Sequence, residues 1–368
     1  MLIEQPYVDF LQFSLDDHEE LPANAKNIDW KRMLIWAEQQ AIVGVIFNGI
    51  QKADKNLSIP ANILLQWIGY ANLIEKRNLF LNKRCVELTD YLKQYGFDTC
   101  ILKGQGNALM YPNPLLRTPG DIDVWMISGS RFKVHGEGLK IREIIRLARE
   151  KNPKGKACYH HVDFGEFNGV EVEVHYRPTF MNNLVANKRL QRWMKVRESE
   201  QFDNLVSLPG QEQKISVPTW DFNVVFQLSH IYRHVIQDGI GLRQMIDYYF
   251  LLKSNTNRPN DTNYNDTLQY LGLMEIAGAV MWVLKEVLGL DDQYLIAPVD
   301  ERRGRFLYRE IMRGGNFGKH DSTRNPKSQI GRNIERLKQD IRLLKYFPSE
   351  CLWEPVFRVY HCFWRLCH

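Results

Sequence analysis

The sequence predicts an α+β protein in which a short set of strands lies between two helical regions. Three observations carry this: helical periodicity within residues 1–97, short apolar runs and alternating segments within 98–180, and a return to helical periodicity over 181–368. These stretches are read as an N-terminal helical region, a core and a C-terminal helical region.

The chain has 368 residues, 44% of them hydrophobic, 25% charged and 12% aromatic, which suits two or three packed units and excludes wholesale disorder. The longest uncharged apolar stretch, Ile276 to Leu284, is about half of what a bilayer-spanning helix needs, so no membrane span is expected. Met1-Leu-Ile-Glu-Gln-Pro has an early acid and no basic region ahead of an apolar block, so a cytoplasmic protein is expected. Six cysteines without a Cys-x-x-Cys pair read as reduced thiols rather than a disulfide framework or a zinc ribbon. The net charge is +5, but residues 301–368 hold 15 Lys and Arg against 7 Asp and Glu, leaving residues 1–300 at −3. Such a segment faces nucleic acid, phosphate or an anionic surface, or is simply a solvated helix face.

From Asp29 to Gln51, Met33, Leu34, Trp36, Ala37, Ala41, Val43, Val45 and Ile46 recur at mostly helical spacing. A second helical stretch runs from about Pro60 to Tyr95 with no internal proline, and Gly96 stops it. Thr99 to Leu102 is a short apolar run suited to a buried strand, closed by Lys103-Gly104. A brief helix, Gln105 to Met110, precedes a loop from Tyr111 to Gly120 whose three prolines forbid regular structure. Asp121 to Met126 is a half-buried strand, and Glu137 to Lys151 a helix. Tyr159 to Phe167 and Val170 to Tyr176 flank Asn168-Gly169, the strongest short hairpin signal, because both central turn positions need positive φ. Beyond Pro178 helices are expected over Leu184–Arg197, Asp221–Gln237, Leu242–Lys253, Asp266–Leu288, Glu301–Arg313 and Gly331–Lys345, with a polar loop from Ser254 to Asn265.

The sharpest chemical feature is Gly120-Asp121-Ile122-Asp123. Aspartates two apart on a strand project from one face, and the pair is unfavourable without a divalent cation between them. Mg²⁺ takes a few carboxylates plus substrate phosphates, so a third acid from a neighbouring strand would complete a two-metal site. Period-two geometry puts Glu171, Glu173 and His175 on one face of the returning strand, with Glu173 the natural third ligand and Glu171 its understudy or a solvent-facing acid. Lys103-Gly104 forms a strand-to-helix turn whose N–H groups and lysine suit a triphosphate, and Arg117 lies four residues before Asp121, able to pair with phosphate oxygens.

The string Leu102-Lys-Gly, Leu109, Tyr111-Pro, Leu116-Arg117, Gly120-Asp-Ile-Asp, followed by His161 and Val172-Glu-Val-His-Tyr-Arg177, resembles the uncharacterised bacterial nucleotidyltransferase branch of the DNA polymerase beta-like superfamily. The resemblance implies a small mixed sheet of nucleotidyltransferase type bearing Asp121, Asp123 and Glu173 as ligands of Mg²⁺, or Mn²⁺ in its place. It implies transfer of a nucleotidyl group, AMP from ATP being the expected case, to an acceptor hydroxyl with release of pyrophosphate. The superfamily usually has Gly-Ser or Gly-Gly at its first motif, whereas Lys103-Gly104-Gln105 stands here. Those three residues with Arg117 and Gly120 are the nucleotide-binding candidates.

The resemblance also suggests that His230, His234, Arg243 and Asp247 line the cleft, while His161 and His175 reach it from the hairpin. The bland alternative for His230 and His234 is a satisfied structural pair, since His-Ile-Tyr-Arg-His lacks the glutamate of a metalloprotease. The aromatic, basic segment Val356 to Cys367 suits a membrane-surface helix or ordinary packing. Against the enzyme stands a non-catalytic nucleotide-binding or regulatory module of the same fold. Nucleic acid binding ranks last, for want of a recognised motif. A small molecule or sugar is the favoured acceptor.

Overall fold

Strands β1 (Phe97–Leu102), β2 (Ile122–Ser128), β3 (His161–Phe167) and β4 (Val170–His175) form one sheet in the order β1–β2–β4–β3. The structure is a computed structural model and describes residues 5–16, 20–53, 56–128, 137–255, 264–318 and 338–368. Antiparallel β1–β2 and β3–β4 pairs flank a parallel β2–β4 pair, so the sheet is mixed, as the resemblance implies. Asn168 (φ 48°) and Gly169 (φ 87°) turn β3 into β4, as that dipeptide predicts. A bulge between Asp163 and Gly165 shifts the register of β3. Two three-residue strands, β5 (Leu205–Ser207) and β6 (Lys214–Ser216), pair separately.

The helices in chain order are α1 (Gln5–Leu15), α2 (Trp30–Gln40), α3 (Val43–Ala53), α4 (Ala61–Gln94), α5 (Gly104–Ala108), α6 (Glu137–Lys151), α7 (Leu184–Val196) and α8 (Glu198–Asp203). There follow α9 (Trp220–Gln237), α10 (Leu242–Lys253), α11 (Tyr264–Leu271), α12 (Met274–Trp282), α13 (Glu301–Gly314), α14 (described over 338–344) and α15 (Pro348–Cys367). The chain divides into two compact units, one of 1–76, 115–118 and 231–351, the other of 77–114, 119–230 and 352–368.

The second unit holds the sheet. Alternation along β2 and β4 sends Ile122, Val124, Met126, Val172 and Val174 into a core shared with Leu81, Leu88 and Leu92 of α4 and Ile141, Ile144 and Ile145 of α6. The intervening residues, Asp123, Trp125, Glu173 and His175, therefore share the other face, where Trp125 stacks on Phe222 of α9 at 5.6 Å. On α15, Phe357 and Trp364 join the core, the packing role expected of this segment, while Leu352, Val356, Val359, Phe363 and Leu366 are exposed. No helix among the described residues is long and apolar enough to cross a membrane.

The first unit is helical. The stretch expected over Asp29–Gln51 is two helices, parted where Ala41 takes a left-handed φ of 57° that no glycine or proline announces. Asp29 caps the first of them, accepting from the Lys31 and Arg32 N–H groups. The single helix expected over Asp266–Leu288 is likewise broken at Gly272 (φ 73°) and ends in one π turn, Val283–Val287. Of the loop expected over Ser254–Asn265 and the helix over Gly331–Lys345, residues 256–263 and 331–337 lie outside the described residues, and 338–344 is helical.

Gly44 of α3 packs so closely on the loop at Leu116 that a Cβ there would lie 1.9 Å from the Leu116 carbonyl oxygen. Gly44→Ala is therefore expected to destabilise the protein by about 1–3 kcal/mol, read as a lower urea midpoint at unchanged slope. A variant as stable as the unmutated protein would mean that the close approach does not exist.

Candidate active site

Parallel pairing places Glu173 of β4 beside Asp123 of β2, and Asp121 precedes β2 by one residue. One oxygen from each of the three carboxylates lies within 4.8 Å of the others. Asp123 is buried, Glu173 partly so, and Asp121 is the most open. Hard oxygens converging in this way are the donor set that Mg²⁺ or Mn²⁺ prefers.

The electrostatics agree with that reading. The Asp123 charge, then burial, push the Asp121 carboxyl above its usual range, the mark of two acids with too little positive charge between them. Burial pushes the Asp123 carboxyl up too. It is outweighed by the Lys103 ammonium, 3.0 Å from Oδ2, and the His175 imidazole, whose Nε2 is 2.9 Å from Oδ1, which hold it well below the usual carboxylate range. Burial likewise opposes ionisation of Glu173, yet His175 and His161, each 3.6 Å from Oε2, keep its carboxyl low. His175 itself, against the pull of burial, is raised by Asp123 and Glu173.

Lys103 reaches Asp123 through an unusual backbone. It has φ 51° and is followed by Gly104 at φ 47°, so the strand turns into α5 through two left-handed residues. Such a conformation costs a residue with a Cβ about 1–3 kcal/mol. Here the strain is accepted, and the side chain it aims lies on Asp123 and 3.3 Å from His230 Nε2. Gln105, assigned to the nucleotide by the resemblance, is buried and donates to Asn82 and Asn78 of α4. Asn107 accepts from Asn223 and Gln227 of α9, both at 3.2 Å. This buried polar ladder fixes α5, and with it the turn, in one position.

The other expected residues fall as follows. Glu171 is exposed, opposite Glu166 in register, and outside the acid cluster. Gly120 is exposed and directly precedes Asp121. In the first unit Arg117 is buried in a bidentate pair with Asp247, Nε to Oδ1 at 2.7 Å and Nη2 to Oδ2 at 2.8 Å. Arg243 donates to the Thr118 carbonyl at 3.4 Å, and His234 lies 3.1 Å from Asp238. The His230–His234 pair is not among the metal-capable groups of the described residues. A cavity of about 310 Å³ also opens on the sheet unit, lined by Trp125, Lys140, Tyr176, Arg177, Arg192 and Lys195, with none of the three acids in its wall.

His161 stands at the edge of the cluster. Burial depresses its imidazole, but Asp163 and Cys158 outweigh burial and raise it to about 8. In metal-free protein this protonation stabilises the fold fully below the unfolded value of about 6.5, and the gain is lost as pH rises through about 8. Stability is thus expected to fall by about 2 kcal/mol across that window. A ring-proton NMR titration checks this: one imidazole should titrate near pH 8 in the unmutated chain and lower in Asp163→Asn. Sequence reasoning passed over Cys158, His160 and Asp163 because only His161 stood in the motif, although the His160-His161 dipeptide at the head of a strand was a legible signal.

Acids at the head of β2 and on the parallel strand β4 thus stand beside a lysine–glycine turn. A family model described as "Uncharacterised nucleotidyltransferase" matches residues 26–289, well over half of the chain, and the chain belongs to that family. The family supports a general role in nucleotidyl transfer. The chain is also similar to a solved structure of an antigenic nucleotidyltransferase-like protein from Paracoccidioides brasiliensis, with 13% identity and a TM-score of 0.35 over 61% of this chain and 96% of that one. No curated protein matches.

Proposed function

We propose that the protein transfers a nucleotidyl group, AMP from ATP, to an acceptor hydroxyl, with Asp121, Asp123 and Glu173 holding Mg²⁺ or Mn²⁺. The convergence of those three carboxylates carries the reading. The bound cation supplies charge neutralisation for the phosphates and acidifies the acceptor hydroxyl. Lys103 and the N–H groups of the Gly104 turn receive the triphosphate, with Gly120 leaving room beside Asp121. His175 keeps Asp123 ionised and oriented. In the reaction the acceptor oxygen bonds to the α-phosphorus as the bond from that phosphorus to the bridging oxygen breaks, pyrophosphate leaves, and the hydroxyl proton passes to solvent. The favoured acceptor is a small molecule or sugar.

Calorimetry with each NTP, with Mg²⁺ and with chelator, tests the binding; a pyrophosphate-release assay across an acceptor panel tests the transfer. No nucleotide affinity at millimolar Mg²⁺ would sink the proposal. A second reading has an observation of its own: Lys103 and His175 already neutralise Asp123 from within the chain. A nucleotide-binding regulatory module would exploit this, and nucleotide affinity indifferent to chelator, with no pyrophosphate released, would favour it.

A further inference from the structure

We propose that the turn Cys158–His161 binds a soft divalent transition metal, zinc being the ion that suits its donors, at a site separate from the carboxylates of Asp121 and Asp123. Such a site would exist whether or not the protein transfers nucleotidyl groups. A tight reversal stands at the head of β3: Ala157 bridges Val162, and the Cys158 N–H donates to the His161 carbonyl at 2.9 Å. That pairing sets the first and fourth side chains of the turn on one edge, with Cys158 Sγ 3.3 Å from His161 Nε2. His160 completes the group, its Nε2 lying 2.9 Å from His161 Nδ1. The sulfur and one nitrogen of each ring lie within 4.8 Å of one another.

The donor set decides the metal. A thiolate and two imidazoles are poor ligands for Mg²⁺ and good ones for Zn²⁺, which in catalytic sites commonly takes three protein ligands and leaves the fourth position open. The aspartate oxygens at β2, two strands away, and the sulfur and nitrogens in this turn therefore suit different ions. Lone pairs are crowded around His161 without a metal: Sγ of Cys158, Nε2 of His160, and carboxylates of Asp163 and Glu173, each 3.6 Å away. One cation at the turn would relieve that crowding.

The turn is also built to hold still. The His160 carbonyl accepts from the Tyr176 and Arg177 N–H groups at 3.0 and 3.1 Å, and the Tyr176 hydroxyl donates to the carbonyls of Cys158 and His161. Between them, the Tyr159 N–H donates to His361 Nε2 at 3.1 Å, and its ring meets Phe180 and Phe357 edge to face. Little ordering would accompany metal binding. Cys158 and His161 are partly exposed, which leaves a way in, and His160 is buried.

The full chain, stripped with chelator, should take up one equivalent of Zn²⁺ in a competition titration. With Co²⁺ it should show tetrahedral absorption and a thiolate-to-cobalt charge-transfer band. Cys158→Ser should abolish the band and weaken Zn²⁺ about 100-fold or more, beyond the effect typical of an outer residue. His160→Gln should weaken it comparably. Band and affinity should survive in Asp121→Asn/Asp123→Asn, which separates this site from the carboxylates, and in Cys362→Ser/Cys367→Ser, which removes the two exposed cysteines. Absence of a thiolate band in unmutated protein, its survival in Cys158→Ser, or its loss with Cys362 and Cys367 would overturn the proposal. Should Cys158→Ser fail to fold, Zn²⁺ must still protect Cys158 from alkylation in unmutated protein, as read by peptide mass; unprotected Cys158 would overturn it equally.

Discussion

Replacing Asp121 and Asp123 together by asparagine is expected to lower pyrophosphate release by at least about 10³-fold and to abolish Mg²⁺-dependent nucleotide binding. Asparagine keeps the shape and one acceptor oxygen at each position, so Lys103 or His175 retains a partner for its N–H at residue 123, and circular dichroism should be unchanged. What the substitution removes is charge, and charge is what a divalent ion requires of this cluster. Glu173→Gln should follow the double variant, because its carboxylate is the third of the group. Glu171→Gln supplies the contrast: two residues earlier on the same strand, exposed and outside the cluster, it should keep activity within about twofold, as surface substitutions away from a site usually do. A double variant that is folded and fully active would remove the carboxylates from the chemistry altogether.

Asp247→Asn is expected to cost about 3–5 kcal/mol of stability, the penalty for leaving a buried cation without its partner. Arg117 and Asp247 are 4% and 5% exposed, and both carboxylate oxygens are engaged by the guanidinium. The double variant Arg117→Met/Asp247→Leu should recover most of the loss, since apolar side chains of similar volume dispense with both desolvated charges. Urea unfolding of the two single variants and the double gives the coupling directly. The same variants weigh the two roles open to Arg117. A phosphate grip predicts lost nucleotide affinity at unchanged stability; a brace between α10 and the 115–118 loop predicts the reverse. Less than about 1 kcal/mol lost on Asp247→Asn would contradict a buried pair.

Much of this was legible in the residues. Long periodic stretches gave α4, α6 and α10 to within a residue or so, because an apolar stripe at helical spacing has few other uses. Asn168-Gly169 gave the hairpin, and period-two alternation put Glu173 and His175 on one face. The breaks were less visible. Ala41 turns left-handed as the C-cap of α2, its N–H bonding back to the Ala37 and Glu38 carbonyls, and alanine carries no mark of that; Gly272 carries a mark that a continuous apolar stripe concealed. The pairing of β5 with β6 rests on three residues per strand, too few for alternation to show. At the site, the acids were legible from their spacing, whereas the ion pair from Lys103 to Asp123 depends on a backbone conformation that residue type argues against. Likewise, the partnership of Cys158 with His161 comes from a turn that carries neither glycine nor proline.

The parallel pairing of β2 with β4 has a kinetic side. Asp123 and Glu173 are partners in register although fifty residues apart, and α6 and β3 must be laid down between them. Closing so long a loop precedes any reward from the contacts it makes, so this pairing belongs to the slow, non-local part of folding. The hairpin of β3 and β4 and the adjacent β1–β2 pair can form earlier, each from nearer neighbours. Glu173 therefore joins the repulsion between Asp121 and Asp123 only once the rest of the sheet is present to hold it. If the three acids hold Mg²⁺ as proposed, refolding in its presence should speed this last step rather than the first.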